Sequence, residues 1–346
     1  MKNRKKIIGN GIFLLLVFGL TMYGVFHGED LSQIKETVRR ADIRFLIPAV
    51  VCVVFFIWGE SVIIHYLLDI LQYKMKSWKC FLISSVGFFF SCITPSASGG
   101  QPMQMVYMKK EKIPLPVSSL VLMIVAITYK LVLVLVGIFL LVFQYGFVKK
   151  YLQGVMPVFY LGIFLNVVCV AVLLLLVFHP LLMKKFTVKG YGVLVKCHLM
   201  KHKPHRMQKL DDSMELYCET ADFLKNHIRV MVFVFFLTLV QRIALFMVTY
   251  FVYRSFGLEK YNLYDLTMLQ AVIAVAVDML PLPGGMGISE KLFSIIFAPV
   301  FGTALLLPGM ILSRGLSYYT ELLVSAVMTV TAHITLGRKK TENCRI

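Results

Sequence analysis

Long apolar runs are the feature that most constrains this chain. Six of them approach or exceed the ~20 residues that an α-helix needs to cross a ~30 Å hydrocarbon core. They lie at about residues 7–27, 45–68, 116–145, 153–180, 228–252 and 305–336. A segment in lipid must satisfy its own backbone hydrogen bonds, which a single isolated segment can do only as a helix. The sequence therefore predicts an all-α polytopic membrane protein with about six full crossings.

Composition and charge agree with this reading. The chain is 58% hydrophobic and 16% charged, against roughly 45–50% and 25% in soluble domains. Its formal net charge is +18. The basic residues cluster beside the apolar runs, at residues 2–6, 74–79, 109–112, 184–209 and 338–340. This is the positive-inside pattern of membrane proteins, and no basic face is interleaved with aromatic residues for stacking bases. We therefore expect a membrane-lipid environment and no nucleic-acid partner.

The sequence offers no recognisable cofactor site. Its seven cysteines are scattered without a Cys-x-x-Cys pair, so we expect neither a disulfide framework nor a metal site. A phosphate-binding loop of the Gly-x4-Gly-Lys-Ser/Thr type is also absent from the sequence. We predict no cofactor, and ATP is not an obvious energy source.

Two further apolar regions, 80–108 and 266–302, are interrupted by proline and glycine. The first reads Thr94-Pro-Ser-Ala-Ser-Gly-Gly-Gln-Pro102, and the second reads Leu280-Pro-Leu-Pro-Gly-Gly-Met-Gly-Ile-Ser-Glu290. A full crossing by region 80–108 would put Lys109 and Lys110 outside, against the positive-inside rule. Both regions are therefore predicted to be re-entrant hairpins, the first from the cytoplasmic side and the second from outside. The alternative is a surface loop between two short helices at each break.

This topology predicts one membrane domain, 1–337, with an inverted repeat, and a tail at 338–346. Both termini are expected in the cytoplasm, together with a basic and amphipathic loop at 181–229. One helical face of that loop is apolar. Its residues are Leu210, Met214, Tyr217, Ala221 and Leu224. We expect this helix to continue into the next span or to lie on the bundle, and the alternative is a partner-binding surface.

The two breaks are also the predicted substrate site. Paired broken helices of opposite orientation point to a transporter's binding site. The N–H groups at their half-helix N-termini suit an anion such as a lipid phosphate. The predicted substrate-binding residues are Thr94, Ser96, Ser98, Gly99, Gly100, Gln101, Gly284, Gly285, Gly287, Glu290, Arg314 and Glu321.

Ionisable residues inside the apolar runs are predicted to line the same cavity. An intramembrane charge costs at least about 2.5–3.5 kcal/mol on insertion scales, so each should face the protein interior. The residues predicted as cavity charges are Glu60, Lys130, Arg242 and Asp278. Arg314, Tyr318, Glu321 and Ser325 share one helical stripe in the last run. Structural ion pairing between helices is the alternative role for these charges.

The two breaks also carry a family resemblance. Ile93-Thr-Pro-Ser-Ala-Ser-Gly-Gly-Gln-Pro-Met-Gln104, followed by Tyr107-Met and a basic residue, resembles a signature of the lysylphosphatidylglycerol synthase/flippase membrane-domain family. That family includes the membrane half of the multiple peptide resistance factor. The second break resembles its second signature, and Arg314 matches a basic residue in its last helix. The resemblance implies flippase-type movement of an aminoacylated or other charged phospholipid, such as lysyl-phosphatidylglycerol, between leaflets of a bacterial-type cell membrane.

The resemblance also raises an enzymatic alternative. In full-length members, a cytoplasmic acyltransferase-like domain follows and attaches lysine from lysyl-tRNA to phosphatidylglycerol. Here only ten residues follow the last predicted run, so we expect a transporter with no catalytic residues. The alternative is a phosphatidylglycerol lysyltransferase or another head-group transferase, with a separate synthase as a possible partner. The sequence predicts no particular oligomeric state.

Overall fold

The computed structural model of the chain describes residues 36–179, 204–282 and 285–337. Its regular secondary structure over these ranges is helical throughout. The main helices are α1 (Ile43–Ile70), α2 (Ser77–Cys92), α3 (Gly100–Lys110), α4 (Leu115–Phe143), α5 (Tyr145–Tyr151), α6 (Met156–Phe178), α7 (Pro204–Lys225), α8 (Ile228–Phe246), α9 (Val248–Ser255), α10 (Leu263–Val277), α11 (Ile288–Arg314) and α12 (Thr320–Gly337). The predicted first run at 7–27 and the tail at 338–346 lie outside the described residues.

Within the described residues, five stretches are long and apolar enough to cross a membrane. They are Ile43–Ile70, Leu115–Phe143, Met156–Phe178, Ile228–Ser255 and Ile288–Leu336. Local sequence sets the start of several of these helices. Asp42 caps α1 by accepting a hydrogen bond from the Arg44 amide at 2.9 Å. Helices α4 and α6 have proline in their first turn. These stretches overlap the other five predicted runs. The prediction of an all-α multi-pass membrane protein is confirmed.

Helix α11 reverses direction at Gly302. Its φ of +69° and ψ of 172° are non-helical, and a positive φ favours glycine. In a straight helix, Glu290 and Arg314 would be about 36 Å apart, because each residue adds 1.5 Å. Instead, Arg314 Nε lies 2.9 Å from Glu290 Oε1. The helix is therefore two antiparallel pieces, α11a (288–301) and α11b (303–314), and the reversal lies at residue 302, where the second broken region is predicted to end.

Two broken hairpins result from these breaks. The first hairpin is α2 with α3, and the second is α10 with α11a. Helices α2 and α10 have 16 and 15 residues, or about 24 and 22 Å of helix, so neither reaches across a ~30 Å core. The arms of the first hairpin touch at Gly100, where a Cβ would lie 2.2 Å from Ser91 Oγ. Short arms that are packed together are typical of a re-entrant segment.

The two hairpins pack at opposite ends of the bundle, around separate hydrophobic cores. The first core contains the first hairpin together with Val121 of α4 and Val234 of α8. The second core contains the second hairpin together with Leu140 of α4 and Phe246 of α8. Since α4 and α8 are long enough to span the membrane, their two ends belong to opposite halves of it. The hairpins therefore enter from opposite ends, as the sequence predicts.

The order of elements repeats with inverted orientation. The series long helix, broken hairpin, long helix occurs as α1, first hairpin and α4, and again as α8–α9, second hairpin and α11b–α12. The Asp42 amide before α1 donates to the Ser255 carbonyl at the end of α9, at 2.8 Å. The end of α1, by contrast, lies in the first core beside the start of α8. The first helices of the two series are thus antiparallel, which gives an inverted repeat.

Helix α7 is the amphipathic helix predicted within the loop 181–229. Its residues Met214, Tyr217 and Ala221 are buried against α4 and α6. The Tyr217 hydroxyl donates to the Leu176 carbonyl at 3.2 Å, and burial raises the pKa of Tyr217 to about 12. The helix therefore lies on the bundle, and its acidic face is left exposed.

Candidate functional site

The buried charges form a layer between the two hydrophobic cores. Four charged residues each lie between first-core and second-core residues of their own span. They are Lys130 in α4, Arg242 in α8, and Arg314 and Glu321 in the last span. Glu60 in α1 is only 7% exposed and lies next to first-core residues. We call Glu60, Lys130, Arg242, Asp278, Glu290, Arg314 and Glu321 the polar layer. All seven were predicted from the sequence as cavity or substrate residues.

The first break is a compact turn held by its own hydroxyl groups. Thr94 Oγ1 accepts a hydrogen bond from the Gly99 amide at 2.9 Å. Ser98 Oγ donates to the Pro95 carbonyl at 2.9 Å, and the Ser98 amide donates to the same carbonyl at 3.1 Å. The predicted hydrogen-bonding groups are present here, and two of the predicted anion-binding amides already have partners inside the turn.

The second break is closed by a carboxylate. Glu290 Oε2 accepts from the Gly287 amide at 2.6 Å and from Ser289 Oγ at 3.0 Å, which caps the start of α11a. The Gly285 amide donates to a carbonyl of the same turn at 3.1 Å. Gly284 lies outside the described residues. An anion at this helix N-terminus would therefore meet a carboxylate already bound there.

The tips of the two hairpins touch. Ser96 Oγ donates to the Leu280 carbonyl at 3.2 Å. Ser96 and Ala97 have φ of +50° and +54°, a left-handed conformation that is unfavourable for residues other than glycine. Pro95, Ala97 and Ser98 are exposed although they belong to the tip of a hairpin inside the bundle. Non-helical backbone at membrane depth is tolerated where it is buried in protein or lines a water-filled cavity. Because these residues are exposed, we expect a water-filled cavity beside them.

Asp278 is the meeting point of two bases. Its carboxylate pairs with Lys130 of α4, and Arg242 Nη2 of α8 lies 3.8 Å from Asp278 Oδ1. The Arg242 guanidinium also lies over the Tyr129 ring, 4.4 Å from its centroid. Because Asp278 follows the C-terminal end of α10, the helix dipole disfavours its negative charge. The two bases offset that effect.

Arg314 and Glu321 connect the last span to both hairpins. Arg314 pairs with Glu290 of the second hairpin, and its guanidinium lies 4.9 Å from the Tyr318 ring centroid. Toward the first hairpin, the Tyr318 hydroxyl donates to the Cys92 carbonyl at 3.0 Å. The Cys92 thiol donates to Glu321 Oε1 at 3.5 Å. A π-helical turn, Gly315–Tyr319, separates the two charges, and such turns occur frequently at functional sites.

Glu60 has neutral partners that sequence reasoning did not identify. Gln104 Nε2 of the first hairpin donates to Glu60 Oε1 at 2.6 Å, and Ser84 Oγ donates to the same oxygen at 3.3 Å. Nearby, Gln241 Nε2 donates to the Tyr129 hydroxyl at 2.6 Å. Two signals could have found them: Gln104 closes the string that carries the family resemblance, and Tyr129 precedes Lys130 in an otherwise apolar run.

Two predicted site residues point into the framework instead. Gln101 Nε2 donates to the Leu122 carbonyl of α4 at 3.3 Å, and Gly100 is buried between the hairpin arms. Across the described ranges, no group of three or more His, Cys, Asp or Glu residues could hold a metal ion. The site is thus a set of ion pairs and hydrogen-bonding groups around the two turns, with charges of both signs that a polar ligand could meet.

Comparison with known proteins agrees with the geometry. Residues 7–325 match the family described as Lysylphosphatidylglycerol synthase TM region. A search of curated proteins gives no match. Among the described residues, the match covers both hairpins and the first four of the five spans in full. It ends within the last span.

Proposed function

We propose that this chain, which belongs to the lysylphosphatidylglycerol synthase membrane-region family, is a lipid flippase. It would move a phospholipid with a charged head group, of the lysyl-phosphatidylglycerol type, between the leaflets of a bacterial-type cell membrane. The head group would cross through the polar layer while the acyl chains stay in the bilayer. The family itself supports the coarser statement, a lipid-related role in a membrane.

One observation carries the proposal: the tips of two opposed re-entrant hairpins meet within a layer of charges. A head group entering from either face would follow one hairpin to its tip and there meet the other, at Ser96 and Leu280. In transporters built from inverted repeats, the substrate site lies near the bilayer midplane at the repeat interface. Rocking of one hairpin and its core against the other would then expose the layer to each side in turn.

The contacts of the layer suggest how a head group is held. Several glycine-rich amides already have partners within their turns, so a lipid phosphate would more readily exchange into an existing ion pair. Arg314, paired with Glu290, and Arg242, at 3.8 Å from Asp278, are suitable bases. Glu321 accepts only the weak thiol bond from Cys92 among the described contacts. It is the acid best able to receive a cationic amino-acyl group.

Reconstitution tests this function. The protein is placed in liposomes that carry labelled lysyl-phosphatidylglycerol in one leaflet, and the accessibility of the label from the other leaflet is followed. We expect exchange much faster than in protein-free liposomes. No acceleration with this lipid or with phosphatidylglycerol would refute the proposal. Transfer of lysine from charged tRNA to phosphatidylglycerol by the purified protein would instead establish the transferase alternative.

A pair of matched variants locates the pathway. The double variant Glu290→Gln, Arg314→Gln removes a buried ion pair without leaving a lone charge, and we expect it to slow exchange at least tenfold. The control is Glu259→Gln, Arg254→Gln, because that pair has the same 2.9 Å separation but lies at an exposed end of the bundle. Equal exchange rates in the two double variants would show that the pathway lies elsewhere.

A further inference from the structure

The polar layer contains more acid than base. Of its seven charges, Glu60, Asp278, Glu290 and Glu321 are acids, whereas Lys130, Arg242 and Arg314 are bases. Lys291, beside the second break, is exposed and does not offset this difference. Within the described residues, the three bases form ion pairs with Asp278 and Glu290. Glu60 and Glu321 have no base within ion-pairing distance in that part of the chain.

The surroundings of Glu60 are neutral on most sides. From the first hairpin it is faced by Ser84 and Gln104, which donate hydrogen bonds to it. From α4 and α8 it is faced by Tyr129 and Arg242, and Arg242 is paired with Asp278. A buried carboxylate with neutral partners is costly to keep ionised, and such a group is commonly neutralised by a proton.

Glu321 has a similar setting. From the first hairpin it is faced by Cys92, whose thiol donates to it, and on its own span by Arg314 and Tyr318. Across the layer it is faced by Arg242 of α8, which is paired with Asp278, and by Glu60 of α1. Arg314 pairs with Glu290. Glu321 and Glu60 thus share one side of the layer, on the first hairpin, through Cys92 and Gln104 respectively.

Two buried oxygen atoms beside these acids have no protein partner among the described residues. Gln241 Oε1 belongs to a side chain that is 1% exposed and whose amide nitrogen binds Tyr129, and Ser325 Oγ belongs to one that is fully buried. Ser325 follows Glu321 by one helical turn, so the two share a face of α12. Buried polar groups are normally satisfied, and an exception calls for a water molecule or an ion. These oxygens are polar groups beside the two carboxylates that a water molecule or an ion could satisfy.

We propose that Glu60 and Glu321 together hold one exchangeable proton, and that this proton leaves when a cationic head group enters the polar layer. The inference rests on the proposed flippase function and makes the protein a lipid–proton exchanger. On entry of the head group, a carboxylic O–H bond breaks and the proton passes to water on one side. The carboxylate then pairs with the ammonium group of the lipid, and reprotonation from the other side releases it. The charge of the layer is balanced in both states.

A transport experiment tests the exchange. Liposomes with labelled lysyl-phosphatidylglycerol receive a pH difference of about one unit, with the membrane potential clamped at zero. One-for-one exchange should sustain an about tenfold difference in lipid between leaflets, since each pH unit is a tenfold ratio in proton activity. Glu60→Gln and Glu321→Gln should abolish this response. Glu215→Gln, which changes an exposed acid of α7, should retain it.

The outcomes separate this inference from the flippase proposal. If the rate and extent of lipid exchange do not depend on the pH difference, proton coupling is overturned and the flippase function still stands. A response to a sodium gradient at constant pH would have the same meaning. A second measurement needs no transport: infrared difference spectra should show a protonated carboxyl band at neutral pH that is lost in Glu60→Gln or Glu321→Gln but not in Glu215→Gln. A wild-type protein without that band would refute the shared proton, whatever the lipid does.

Discussion

Asp278 should be the most sensitive charge in the polar layer, because two bases depend on it. The change Asp278→Asn keeps the shape of the side chain but leaves both Lys130 and Arg242 without an anion. At 3.8 Å, the Arg242 attraction alone is about 4 kcal/mol at an effective dielectric constant of about 20. Removing one partner of a buried pair costs about 3–5 kcal/mol. We expect Asp278→Asn to lower the unfolding free energy by about 5 kcal/mol, the upper end of that range.

The matched variant is Lys130→Met, which removes one of the two bases and keeps the length of the side chain. Asp278 would still have Arg242 as a partner. We therefore expect the unfolding free energy to fall by only about 2 kcal/mol, which is below the usual cost of breaking a buried pair. The double variant Lys130→Met, Asp278→Asn should be less destabilised than the sum of the two single changes, because only Arg242 is then left unpaired.

Denaturant-induced unfolding of the purified protein in detergent micelles, followed by circular dichroism, measures these differences. The refuting result is equal destabilisation by Asp278→Asn and Lys130→Met, or exact additivity in the double variant. Either would mean that Arg242 does not share the carboxylate, and that the layer is a set of independent pairs.

Three further predictions use matched variants elsewhere in the bundle. At Gly162 a Cβ would lie 2.4 Å from a carbonyl oxygen of α10, so Gly162→Ala should lower the unfolding free energy by about 1–3 kcal/mol through overpacking; Gly146→Ala, with nothing within 4 Å, should not. Ala97→Gly should leave thermal stability unchanged or slightly raised, since φ is +54° and left-handed backbone costs about 1–2 kcal/mol outside glycine; a clear loss would contradict the turn geometry. In a background without the seven native cysteines, Ser98→Cys should react with a membrane-impermeant maleimide, whereas Leu135→Cys on the outer face of α4 should not. Equal labelling of the two would argue against a water-filled cavity at the first break.

Much of the fold could be predicted because its signals are local and long. An apolar run of more than twenty residues has one solution in lipid, and the predicted run 45–68 corresponds to α1 at Ile43–Ile70. Re-entry followed from charge: Lys109 and Lys110 could not lie on the outer face without breaking the positive-inside rule. The prediction that the second broken region ends at residue 302 implied a reversal of the chain there. Nothing in the sequence indicates that φ of Gly302 is +69°.

The site was predictable as a set of residues but not as a set of contacts. Every member of the polar layer is conspicuous in sequence, since a charge in an apolar run is rare. Which charges pair is a different matter, because Lys130 and Asp278 are 148 residues apart and only the packing of α4 against the second hairpin brings them together. Neutral partners such as Gln104 are harder still: its place at the end of the string that carries the family resemblance draws attention to it, but does not show which distant carboxylate it binds.

The contact between the hairpin tips also sets how readily the molecule can change shape. Each hairpin is fixed within its own hydrophobic core, whereas the hydrogen bonds of the described residues join the two hairpins only between Ser96 and Leu280. Such a neutral bond contributes about 0.5–1.5 kcal/mol net, and 1.4 kcal/mol is a tenfold change in an equilibrium. The hydrogen bond between the tips therefore resists their separation only weakly, and the stronger joints are the ion pairs that Asp278 and Glu290 make with the long helices. A charged group that exchanged into one of those pairs would loosen a strong joint and leave the two tips held by the weak one.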